Sequence, residues 1–112
     1  MDTGSLLLKC VELAKEKKAG DIIALSLGGL TIIADYFLIM TAANSRQAKA
    51  VADYLDEETK KLDNKALRIE GHSEGRWILM DYGSVIVHIF LEEEREYYNL
   101  EKLWEDAPKE SF

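Results

Sequence analysis

The chain has 112 residues, 47% of them apolar, with one proline and seven glycines; this suits one domain and excludes a disordered or fibrous class. Its net charge of −7 opposes direct, phosphate-led binding of nucleic acid, which needs clustered lysine and arginine. No apolar run approaches the ~20 residues that span a bilayer, and Met1–Ser5 lacks the basic start of a targeting peptide, so the expected location is the cytoplasm. The single cysteine, Cys10, excludes an internal disulfide framework and reads as a small apolar residue on a helix face.

In chain order, Leu6 to Lys17 reads as an amphipathic helix: Leu6, Cys10 and Leu13 share a stripe, and Gly20 supplies a stop. Ile22 to Leu27 reads as a short strand, broken by Gly28-Gly29. Thr31 to Asp35 suggests one helical turn, and Tyr36 to Thr41 a buried strand. Asn44-Ser45 offers an N-cap for a helix running to about Leu62, with Ala48, Val51, Ala52, Leu55 and Leu62 as its apolar stripe. Ala66 to Ile69 is a short strand candidate. Trp77–Tyr82 and Val85–Leu91 are stronger, joined by a Gly83-Ser84 turn. Alternation places Trp77, Leu79 and Asp81 on one face and Ile78, Met80 and Tyr82 on the other. Glu92 to Tyr98 reads as a helical turn or two. Asn99 can cap a last helix carrying Leu100, Leu103 and Trp104, which Pro108 closes. The order helix-strand-strand-helix-strand-strand-strand-helix gives one domain of mixed α/β (α+β) class, a mixed sheet packed by helices.

Neither a Walker pattern nor G-x-G-x-x-G occurs. His72 and His88 lie far apart and one cysteine cannot build a zinc cage, so no metal or cofactor is expected. Ser73 and Ser84 lack a nucleophile elbow. Asp35 and Asp81 invite comparison with the paired acids of polymerase-β-type nucleotidyltransferases, but neither has an acid two residues on, where Phe37 and Gly83 stand. A small nucleotide-binding enzyme is therefore the alternative reading, and the main one is non-catalytic.

Trp77, Met80, Asp81, Tyr82 and His88 combine aromatic, methionine and polar side chains on one hairpin, the make-up of an interface core; the competing reading is that they fill the protein's own interior. From Glu92 onward there are 8 acids against 3 bases, net −5, leaving −2 for the rest. An acidic end of this kind attracts a basic partner or simply aids solubility.

Four segments in this order resemble the ribosomal silencing factors, the Iojap-like proteins: Ala34-Asp35-Tyr36-Phe37-Leu38-Ile39; Ser45-Arg46-Gln47; Gly75 through Gly83 with Val85-Ile86-Val87-His88; and Glu96 through Trp104. The resemblance spans about Leu6 to Ala107. It implies a nucleotidyltransferase-like fold without the catalytic acids. It also implies docking on the large ribosomal subunit through ribosomal protein fourteen, which blocks joining of the small subunit by steric exclusion when nutrients are scarce. Carried over by position, Trp77, Asp81, Tyr82 and His88 match the family motif, and Glu101 and Trp104 its C-terminal pattern. The expected partner-binding set is Trp77, Met80 and Tyr82 as apolar anchors, Asp81 as acceptor for a basic side chain, and His88 and Glu101. Trp104 reads equally as core, and Asp35 as a turn cap. Ser84 and Ser26 stand where the family often has acids. A homodimer through apolar strand faces is a third reading.

Overall fold

A computed structural model describing residues 1–112 opens both long helices where a side chain accepts an orphaned N–H. Asp2 accepts from the Ser5 N–H at 2.8 Å and opens α1 (Thr3–Glu16). Asn44 accepts from the Gln47 N–H at 2.9 Å and opens α2 (Ser45–Lys61). Gln47 also explains part of the Ser45-Arg46-Gln47 motif. Its amide nitrogen donates to the Lys17 and Lys18 carbonyls while its oxygen accepts from the Ala43 N–H, tying the end of α1 to the start of α2.

Six strands form one sheet in the order β3-β4-β5-β2-β1-β6. They are β1 (Gly20–Ser26), β2 (Tyr36–Ala42), β3 (Arg68–Glu70), β4 (Trp77–Asp81), β5 (Val85–Leu91) and β6 (Lys109–Ser111). Only β2 and β5 run parallel. The predicted hairpin forms, and Gly83 takes φ 86°, where a side chain would be strained.

One face of the sheet is roofed by α1 and α2 over a core of 20 buried residues, including Leu6, Cys10, Val51, Leu55, Ile78, Met80 and Val87. The opposite face carries a second core of eight, among them Leu25, Phe37, Ile39, Phe90 and Ala107. It is only partly covered, by the segment of α3 (Glu92–Tyr98) and α4 (Leu100–Leu103). We call this second side the open face.

Several sequence expectations need correction. Thr31–Asp35 is not a helical turn; it is a bend in which the Thr31 hydroxyl accepts from the Ile33 N–H. The predicted element order counts one closing helix where two stand: the turns read over Glu92–Tyr98 form α3, and the Asn99 cap opens a separate α4, with Asn99 at φ 44° between them. Pro108 is followed by a sixth strand. The α2 stripe passes through buried Thr59 rather than Leu62, which is exposed.

Candidate docking surface

The alternation read along β4 holds. Trp77 and Leu79 lie against the second core, on the open face, whereas Ile78 and Met80 sit in the first core beneath the helices. The six candidate residues are therefore split by the sheet. Met80 is 0% exposed and has no surface to offer; the apolar anchor expected there is a core residue. Tyr82 packs against the same core, and its hydroxyl meets Thr59 Oγ1 at 3.0 Å. That threonine in turn donates to the Leu55 carbonyl, and burial pushes the Tyr82 phenol up. Tyr82 thus locks the hairpin to α2 and does not project from it.

On the open face Trp77 is clasped between two rings. Phe90 stacks on it at 5.0 Å between centroids, and Tyr98 of α3 lies at 4.6 Å. Its Nε1–H donates to His88 Nδ1 at 3.1 Å. His88, 3% exposed, also meets the Phe37 ring edge-on at 4.6 Å. Removal from water lowers its pKa from 6.5 to about 4. The expectation that His88 faces a partner directly is overturned: the imidazole lies underneath the half-buried indole.

Asp81 keeps one oxygen for the fold and one for the outside. Oδ1 accepts from the Gly83 N–H at 2.8 Å and shapes the turn, while Oδ2 stands 3.4 Å from the Arg68 guanidinium. Glu101 is held by Arg95 at 3.1 Å. The same Arg95 donates to the Asp21 carbonyl and to Thr41 Oγ1, fastening α3 and α4 to β1 and β2. Glu101 is thereby committed to an internal pair rather than free for a partner. Beside it Asp21, Glu92 and Glu96 line a cleft of about 500 Å³. Asp35 spends its backbone, not its carboxylate, on structure: its N–H donates to the Ser84 carbonyl and its carbonyl accepts from Leu27. Asp35 immediately precedes β2 and Asp81 ends β4, with β5 between the two strands. That separation, roughly 10 Å at the usual strand spacing, is wide for acids that must share metal ions.

The family pattern described as "Ribosomal silencing factor during starvation" matches residues 1–112. A Halalkalibacterium halodurans protein named Ribosomal silencing factor RsfS is 42% identical over 96% of this chain and 92% of its own length. This chain belongs to the ribosomal silencing factor family. A crystal structure from Chromobacterium violaceum superimposes on it with a TM-score of 0.90 at 33% identity, covering 93% of this chain and 87% of that one. A mouse protein named Mitochondrial assembly of ribosomal large subunit protein 1 is 34% identical over 84% of this chain, which spans 42% of that protein. The family is described as one of ribosomal silencing factors.

Within this silencing factor, two features of the open face were absent from the candidate set. Leu79 is half-buried beside Trp77; its place on the indole's face was legible, but not that this face stays open. Tyr97 and Tyr98 are exposed, Tyr97 at 81%. Their rings meet edge-on at 5.0 Å. The acids Glu92, Glu93, Glu94 and Glu96 share their helix. Consecutive tyrosines among glutamates on a short helix carry no periodic signal, so only the fold could place Tyr98 against Trp77.

Proposed function

We propose that this silencing factor docks on the large ribosomal subunit through the open face around Trp77, and that its bulk then excludes the small subunit. The carrying observation is the indole itself: partly exposed, yet braced by Phe90, Tyr98 and His88. A pre-ordered aromatic ring loses little freedom on binding, which is what makes tryptophan a frequent hot spot. Leu79, Tyr97 and Tyr98 extend the apolar area, and the glutamates of α3 form an acidic rim. The surface suits a basic protein; ribosomal protein fourteen is the partner the family resemblance names. The mouse relative's name, which refers to the ribosomal large subunit, supports that half of the ribosome. In the docked state Asp81 Oδ2, which pairs with Arg68 in the free protein, takes a basic side chain of the partner in exchange.

Trp77→Ala combined with Leu79→Arg tests this without touching the hairpin turn. The variant is expected to fold, to stop co-sedimenting with isolated large subunits, and to leave subunit joining unimpeded. Co-sedimentation equal to wild type would place the docking surface elsewhere.

A further inference from the structure

Trp77 Nε1 can only donate, so the nitrogen that accepts from it, His88 Nδ1, carries no proton. The neutral ring therefore holds its proton on Nε2. That Nε2 is buried and has no hydrogen-bond partner. A buried donor without an acceptor is a standing penalty, and a phenylalanine among Phe37, Trp77 and Phe90 would avoid it. What phenylalanine lacks is the Nδ1 acceptor. The aromatic clasp alone does not decide how the indole sits: Phe90 stacks on Trp77 and Tyr98 lies tilted against it, and a ring turned over between them keeps much of that contact. Only the bond to Nδ1 distinguishes the indole's nitrogen edge from its other edge.

We infer that His88 is a positioning residue for docking, its buried Nδ1 selecting the one orientation of Trp77 that the ribosomal partner meets. This rests on the docking reading above. It would explain why a histidine with an orphaned donor stands in an otherwise apolar layer.

Two substitutions separate positioning from packing. His88→Phe keeps the ring volume and removes the acceptor; His88→Asn places an oxygen near the position of Nδ1 and leaves a gap. Three quantities are read on the full-length chain: the melting temperature, the Trp77 indole N–H resonance, and binding to isolated large subunits by co-sedimentation. The Trp77 and Trp104 indoles are told apart with Trp104→Phe. His88→Phe is expected to melt at least as high as wild type, to shift the Trp77 resonance, and to bind roughly tenfold more weakly. His88→Asn is expected to melt lower while keeping the resonance close to wild type and binding within about threefold. Should His88→Phe fail to fold, His88→Met replaces it with the same expectation for resonance and binding. Affinity that follows ring volume, with His88→Phe binding like wild type and His88→Asn failing, overturns the inference. If Trp77→Ala itself binds like wild type, the docking reading has failed. If Trp77→Ala weakens binding but His88→Phe does not, only the positioning role has.

Discussion

Acidification is expected to destabilise this protein through one imidazole. His88 is 3% exposed and its ring neighbours are Phe37, Trp77 and Phe90, none of them charged, so burial alone lowers its pKa from 6.5 to about 4. In the unfolded chain the ring takes a proton below its ordinary pKa; in the folded chain it refuses one until near pH 4. The resulting stability is complete above about pH 6.5 and drains away as the pH falls to 4. A gap between 6.5 and about 4, at ~1.4 kcal/mol per pH unit, amounts to about 3 kcal/mol. Urea unfolding of wild type and His88→Phe at pH 7 and pH 4 isolates the effect, because the carboxylates common to both cancel. Wild type should lose about 3 kcal/mol more than the variant over this interval. Equal losses would mean the folded chain tolerates the imidazolium, and the sealed environment described for His88 would be wrong.

Arg95→Met should lower stability by about 2–4 kcal/mol in denaturant melts, because it strands the Glu101 carboxylate and releases the bonds to Asp21 and Thr41; a loss below about 0.5 kcal/mol would show that α3 and α4 are held by apolar contacts alone. Gly71→Ala should destabilise by at least about 2 kcal/mol, since Gly71 has φ 79° and a Cβ there would run into the Trp77 carbonyl; an unchanged melting temperature would refute that crowding. Cys10, buried with its thiol pushed up to about 12, should resist iodoacetamide in the native state and react only on unfolding. Fast native labelling would contradict its place under α1.

Much of the architecture was legible because it rests on periodic side chains. Val51, Ala52 and Leu55 announce the buried stripe of α2, and Trp77 to Asp81 announces two faces by alternation. What alternation cannot say is which face the helices cover. β4 is apolar on both sides, so Met80 and Trp77 look equally fit for a partner until α1 and α2 are laid over one of them. Thr59 was missed because a buried hydroxyl reads as polar surface, although it satisfies itself on the Leu55 carbonyl. β6 was missed for a different reason: Lys109, Glu110 and Ser111 are all exposed, and the strand is held by backbone pairing with β1, which leaves no trace in side-chain pattern. Trp77 and Asp81 remain proposals for contact, while His88 and Glu101 turn to support through pairs between elements, His88 with Trp77 on the neighbouring strand and Glu101 with Arg95 of α3.

Docking through the open face is tested most directly by cross-linking from defined positions. A photoreactive benzoylphenylalanine replaces Tyr97, at the rim of the Trp77 patch, or Leu8, exposed on α1 across the sheet. After irradiation with isolated large subunits, position 97 should yield one dominant adduct with a basic large-subunit protein, and position 8 should yield none. Adducts from position 8 and silence from position 97 would put the contact on the helical side and contradict the account.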